Sequence, residues 1–282
     1  WSTRSTTRSG RHGRCIARRV PRSGIRIGTP VARGSCATPP AGMVGWWTGD
    51  GNSNDIAGGN DGALNGDAAY AAGKVGQAFT FDGTGDYVEA PDANTLDMTT
   101  AITIDAWVNP ASANASGAIV DKGGSSGYAL ELVGGSPKLT VGGLSATSAS
   151  VLAANTWTHV AATFEGTNIV IYVNGVAETT AAAGAIPVNT TALQIGSGFS
   201  GLIDEVEVFN VALDEPTIDG LVSADSGGKC KPVDLEISKT EGGGSAAPGG
   251  VVAYTLNYAN YGATASGVVI TETVPTNTVF NP

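Results

Sequence analysis

"QAFTF", "DYVEA", "AITIDAWV", "THVAATF", "NIVIYV" and "LIDEVEVF" place apolar residues at alternate positions, and clusters of Gly, Asn, Asp and Ser part such segments at intervals of about ten residues. A period of two over so short a run is the signature of a half-buried strand and is incompatible with a helix. With "GAIVDK", "YALELV", "KLTVG" and "ALQIG", the chain from Met43 onward offers ten or more strands. That many strands within ~190 residues argue for a β-sandwich with little helix. Asn174-Gly175 in "VNGV" suits a tight hairpin. The one helix expected lies in "DEPTIDGLVSA", where Asp214 caps, Pro216 fits the first turn and Ile218 and Leu221 share a face. After "ADSGGKCKP" a second set of strands begins at Val233, "VDLEISKT", "GGVVAYTLNYANYG" and "ASGVVITETV". It is short for a sandwich and is expected to be part of a domain.

Charge divides the chain. Nine Arg and no acid lie in the first 40 residues, between Arg4 and Arg33; beyond them stand six Lys, beginning at Lys74, against 25 acids beginning at Asp50. An acidic body repels phosphates, so nucleic acid is not an expected partner. The basic stretch lacks the apolar run of a signal peptide and the aromatics that stack on bases. Arg without Lys next to Lys without Arg points to a non-native or mis-framed leader over residues 1–35, expected to be disordered. No apolar run reaches the ~18 residues of a membrane-spanning helix, so no membrane insertion is expected of this segment. Charged residues are only 14% and Gly number 41, a composition suited to an extracellular β protein.

"GWWTGDGNSNDIAGGNDGAL" is the densest polar stretch. Asp50, Asn52, Asn54, Asp55, Asn60 and Asp61 offer hard oxygen ligands and the glycines let carbonyls turn inward, as Ca²⁺ requires. The same residues make ordinary turns, and their spacing is not that of an EF-hand. Trp46 and Trp47, being adjacent on a strand, face opposite sides: one is expected in the core, the other at a sheet edge or under a loop. Trp107 and Trp157 sit in alternating strands and read as structural. Cys36 and Cys230 flank the strand-rich block, so a disulfide joining its two ends would close a loop worth ~3–5 kcal/mol. The alternative is two free thiols in flexible ends; Cys15 has no evident partner.

"GMVGWWTGDGNSNDIAGGNDGAL", "GKVGQAFTFDGTGDYVEAP", "AITIDAWVNP", "WTHVAATFEGTNIVIYVNGV" and "GLIDEVEVFNVAL" resemble, in order and spacing, bacterial laminin-G-like domains of the concanavalin A-like lectin and glucanase fold, over roughly residues 40–224. The tail from Val233 resembles the first half of the conserved-repeat, immunoglobulin-like stalk domain of bacterial surface proteins. The resemblance implies an all-β chain: a concanavalin A-like jelly-roll sandwich over 36–230 and an incomplete immunoglobulin-like stalk repeat over 231–282. It implies an extracellular or cell-surface location. It also implies one structural Ca²⁺ held between an N-terminal loop and an acid of the last long strand. Asp204 is the matching carboxylate, with Asp50, Asp55 and Asn60 as candidate partners.

"DEVE" invites a hydrolase reading, since Glu205 and Glu207 would share one face at a spacing suited to retaining hydrolysis. Laminarinase-type relatives carry three acids in an aromatic-lined cleft, and this strand resembles instead the closing strand of non-catalytic members. His159, in "WTHVAATF", has no marked nucleophile and reads as structural. The expectation is therefore a non-catalytic module that binds a glycan or an extracellular protein. The alternative is a spacer with no ligand. An exposed aromatic cluster near Tyr70, Tyr87, Tyr128 or Phe199 would favour binding, and its absence the spacer.

Overall fold

The computed structural model describes residues 26–27, 36–182, 184–232, 235–241 and 254–260. These fall into two units, one built on Ala32–Asp234 and one that includes Leu235–Asn260. In the second, Leu235–Glu241 pairs antiparallel with Tyr254–Asn260, and Arg26–Ile27 adds to Tyr254–Asn260 in parallel. The remainder of the basic stretch, Cys15 and the expected strand "ASGVVITETV" lie outside the described residues.

The first unit is a sandwich of two antiparallel sheets. One runs, from edge to edge, Leu144–Thr147, Ser136–Val141, Tyr128–Val133, Gly117–Lys122, Leu193–Ile195, Tyr87–Ala90 and Ala63–Asn65. The other runs Val176–Ala182, Asn168–Val173, Thr158–Phe164, Ile102–Pro110, Ser200–Phe209, Gln77–Asp82 and Ala69–Ala72. The long strand Ser200–Phe209 pairs along its first half with Gln77–Asp82 and along its second half with Met43–Trp47. The first and last strands of the sandwich are therefore neighbours, as the position of the two cysteines requires.

Alternation explains the core. In Ile102–Pro110, Ile102, Ile104, Ala106 and Val108 point inward and meet Trp47, Phe79 and Leu130 from neighbouring strands and the facing sheet. Asn174 and Gly175 take positive φ angles of 49° and 85°, the left-handed pair that a two-residue hairpin needs. The helix forms over Glu215–Ala224, with the Asp214 carboxylate accepting the Thr217 N–H at 3.1 Å. Ile218 and Leu221 bury its inner face against Ala161, Tyr172 and Phe209, which lie on the outer side of the second sheet. That sheet is thus covered on both faces, although its strands alternate as if one face met water. No helix among the described residues is long and apolar enough to cross a membrane.

Candidate functional site

Beyond the helix, that outer face is where the chain concentrates its buried charge. The strand Ser200–Phe209 carries one extra residue opposite Ile102–Pro110: Asp204 faces Trp107, but Glu207 faces Asp105. Glu205 absorbs the extra residue with φ at 51°, a bulge in the left-handed region. Val206 stays in the core, while Asp204, Glu205 and Glu207 all turn outward beside Asp105. All four carboxylates are at most 1% exposed.

Two cations answer them, both from the segment after the helix. Cys230 forms a disulfide with Cys36, with Cα atoms 4.9 Å apart, and its N–H donates to the Ala37 carbonyl at 2.8 Å. In this extended stretch Lys229 and Lys231 point to the side opposite Cys230. Lys229 Nζ pairs with Glu207 Oε1 and lies 3.7 Å from Glu205 Oε2. Lys231 Nζ pairs with Asp50 Oδ2 and lies 3.3 Å from Glu205 Oε1. The Trp46 indole N–H donates to Glu205 Oε2 at 3.0 Å, and His159 Nε2 lies 3.0 Å from Asp105 Oδ2. Lys74 Nζ sits 4.4 Å from the centre of the Trp107 ring and pairs with Asp225, closing the rim.

Four acids against two lysines leave negative charge in a dry place, and protonation relieves it. Burial, then the charge of Glu205, pushes Asp204 up to about 8, although Val75 and Lys74 backbone N–H groups oppose the shift. Burial and then the charge of Asp105 raise Glu207 well above the usual carboxylate range, against the pull of Lys229. Burial alone would lower the two lysines, but Glu207, Glu205 and Asp105 outweigh it at Lys229, and Glu205 and Asp50 outweigh it at Lys231. Beyond the ion pairs, Asp105 Oδ1, Asp204 Oδ1, Glu207 Oε2 and His159 Nδ1 have no hydrogen-bond partner.

The expected calcium ligands do not fit a cation. Asp55 Oδ1 accepts the N–H groups of Trp46, Ala57 and Gly58 at 2.8–2.9 Å. Its Oδ2 accepts the backbone and side-chain N–H groups of Asn60 at 2.9 and 2.8 Å. Asn60 Oδ1 in turn accepts from Thr95 at 2.7 Å, and Asn60 Nδ2 donates to the Val44 carbonyl at 3.0 Å. Gly58 must lack a side chain, since a Cβ there would lie 1.9 Å from the Val44 carbonyl oxygen. Asp50 is taken by Lys231 and by the Gln77 N–H at 2.7 Å. Asp204 Oδ2 is capped by the Val75 N–H at 2.8 Å. Oxygens aimed at N–H donors make a turn clasp, and lysine ammoniums hold the place a metal would take beside Asp50 and Glu205. Among the described residues one group of three acids has ligand atoms within 4.8 Å of one another, Asp67, Asp82 and Asp86. It too is a turn, with Asp86 Oδ2 accepting the Asp82 N–H at 2.7 Å.

The two tryptophans do face opposite sides, Trp47 in the core with its indole N–H on the Asn60 carbonyl at 3.0 Å and Trp46 on the ionic face. Neither forms an exposed platform. Tyr128 and Phe199 are fully buried, Tyr70 packs on Phe79, and among the described residues no aromatic side chain belongs to the exposed large apolar set. Glu205 and Glu207 share a face as expected, but no open cleft holds them. What the sequence reading missed is the role of Lys229 and Lys231. Its signal was present in "KCK", whose period of two sets both lysines against the side opposite the cysteine.

The other sheet leaves its outer face open. One row of paired residues crosses it: Thr140 opposite Ala129, Ala129 opposite Asp121, Asp121 opposite Gln194, and Gln194 opposite Glu89. The four polar members are half-buried and Ala129 is their floor. Gln194 Nε2 donates to Glu89 Oε2 at 3.1 Å, and the adjacent Lys138 and Glu131 pair at 2.8 Å.

Residues 82–219 match the family described as the concanavalin A-like lectin/glucanases superfamily, Laminin_G_3. Among solved structures, domain 4 of AbnA, a GH43 extracellular arabinanase from Geobacillus stearothermophilus, in complex with arabinotriose, is 18% identical, with 63% of this chain and 96% of that chain covered and a TM-score of 0.52. The binding domain of Paraclostridial Mosquitocidal Protein 1 is 12% identical, over 65% of this chain and 52% of that chain, at a TM-score of 0.56. The binding domain of botulinum neurotoxin DC in complex with rat synaptotagmin II is 16% identical, over 65% and 51%, at 0.52. This chain spans about half the length of the two toxin domains. At such identities the likeness is one of fold. No curated protein sequence matches this chain.

Proposed function

We propose that this protein is a non-catalytic binding module of an extracellular protein, and that its ligand is a glycan or a protein held through hydrogen bonds. The observation that carries this reading is the polar row Asp121, Gln194 and Glu89, a half-buried strip of carboxylate and amide groups on an open sheet face, with the Thr140 hydroxyl buried and unpartnered at its end. Strands stand about 4.8 Å apart, so the row lines up donors and acceptors at that spacing across the sheet. The fold's likeness to an arabinotriose-bound domain and to toxin binding domains supports a binding role. Hydrolysis has no such support, because the paired acids it would use are capped by Lys229 and sealed from solvent. The disulfide supports an extracellular location, and the strands from Leu235 onward support the reading of 231–282 as part of a surface stalk repeat on a bacterial protein.

A second reading, a spacer without ligand, is favoured by the burial of Tyr128 and Phe199 and the lack of an exposed aromatic platform among the described residues. Screening the full chain against immobilised glycans and extracellular proteins separates the two. Binding that is lost in a Thr140→Ala, Asp121→Ala, Gln194→Ala triple variant supports the module. Binding to none of them, or binding that the triple variant keeps, removes the row as the site and moves the spacer forward.

A further inference from the structure

Lys231, Asp50 and Glu205 meet where the segment after the helix crosses the loop after Met43–Trp47. The Lys231 ammonium touches Asp50 Oδ2 and lies 3.3 Å from Glu205 Oε1, and both Lys231 and Glu205 are buried, at 7% and 1% exposed. The other oxygen of Asp50 accepts the Gln77 N–H at 2.7 Å, so the carboxyl is polarised on the side away from the amine. Cys230, the residue next to Lys231, is fixed to Cys36, which holds the amine against the carboxyl without loss of further chain freedom. An amine, a polarised carboxyl and a second carboxylate in contact with the amine are the parts that amide formation needs.

We propose that Lys231 and Asp50 become joined by an intramolecular isopeptide bond, with Glu205 as the proton relay. The Lys231 ammonium first passes a proton to Asp50, giving an amine beside a neutral carboxylic acid. Nζ then attacks Asp50 Cγ, and the nitrogen gives a second proton to the Glu205 carboxylate. Glu205 returns that proton to the departing hydroxyl; the Cγ–O bond breaks, the Nζ–Cγ amide forms, and one water leaves. Glu205 ends as it began, and no oxidant or cofactor enters. Among the described residues the other lysine pairs lack a part. Lys74 and Lys138 each meet a single acid, Asp225 and Glu131; Glu207 accepts no N–H to polarise its carboxyl; and Lys122, which meets both Asp92 and Asp97, has neither carboxyl polarised by a backbone N–H. With the disulfide, the bond would staple the end of the sandwich to its beginning twice, once reducibly and once not. This inference is independent of the ligand proposed above.

The test is the mass of the full chain after complete reduction and alkylation, followed by tryptic mapping. The expected result is a mass one water below that of the sequence and a branched peptide joining 34–74 to 230–239. Reduction matters because the same two peptides carry Cys36 and Cys230. Lys231→Arg, which keeps the charge but cannot close the amide, should restore the full mass with the disulfide intact. Glu205→Gln should do the same if Glu205 relays the proton. A full-mass wild type whose two peptides separate on reduction would reduce the pair to an ion pair and overturn the proposal. A branched peptide that persists in Glu205→Gln would overturn the relay.

Discussion

Trp46 and Glu205 meet across 159 residues of chain, the indole N–H donating to the carboxylate at 3.0 Å. The contact ties the first strand of the sandwich to the last. It also puts an aromatic wall beside Lys229, whose ammonium lies 5.4 Å from the centre of the Trp46 ring. The ionic face is thus a single closed assembly, in which aromatic rings keep water out, lysines neutralise carboxylates and a disulfide holds the lysines in place.

Removing Lys229 should show how tightly that assembly is coupled. Lys229→Met strands Glu207 and leaves Glu205 a counter-ion short, and breaking a buried pair from one side costs about 3–5 kcal/mol. Denaturant unfolding should show a loss of this size, with Lys229→Met combined with Glu207→Gln losing less than the two single changes together. A loss below about 1 kcal/mol would mean that the pair behaves as if it were at the surface.

The sandwich was legible because period-two strands, an Asn-Gly hairpin and an Asp-capped helix are local signals, each written within a dozen or so residues. The ionic face was legible only in part. Alternation sets Asp204 and Glu205 on opposite faces of a regular strand. The bulge at Glu205, whose φ is 51°, turns both outward, and nothing in "LIDEVEVF" announces it. Lys231 stands 181 residues from its partner Asp50, a separation no periodicity spans. The loop that begins at Gly49 was ambiguous for another reason. Asp and Asn oxygens serve a cation or a backbone N–H equally well, and only the geometry around Asp55 decides between them.

That geometry makes Asp55 the centre of its loop. Asp55→Ala would leave five N–H groups without their acceptor, and each buried donor left unpaired costs about 1–3 kcal/mol. Relief through water lowers the sum, so a loss of about 3 kcal/mol or more is expected by chemical denaturation. The melting temperature of the wild type should coincide in calcium and in excess chelator. A calcium-dependent rise that Asp204→Ala abolishes would replace the turn clasp by a metal site.

The disulfide should contribute through the chain it closes. Cys36 and Cys230 stand 194 residues apart, for which the chain-entropy account gives ~5 kcal/mol. Cys36→Ser with Cys230→Ser should lose that much by denaturant unfolding and should also loosen the lysines, which lie either side of Cys230. Hydrogen exchange at residues 228–231 and at the Val75 N–H should rise together. A rise confined to 228–231 would separate the strap from the acids beneath it.

Acidity offers the sharpest readout of the buried charge. Asp204 is held at about 8 in the folded chain against 3.8 ordinarily, so the folded state keeps a proton that the unfolded state has lost across that interval. Stability from this group is fully present below the ordinary value and is lost as pH rises to about 8, where the buried carboxylate must ionise. Glu207, also raised, acts in the same direction. Lys229 is raised as well, so its contribution persists until pH passes the ordinary 10.5 and does not mask the trend. Asp204→Asn removes the titration while keeping an oxygen for the Val75 N–H. Relative to wild type, the variant should gain on the order of 2–4 kcal/mol in unfolding free energy between about pH 5 and about pH 8. Equal pH profiles for the two proteins would show that Asp204 is ionised in the folded state, and that the lysines neutralise this face without help from protons.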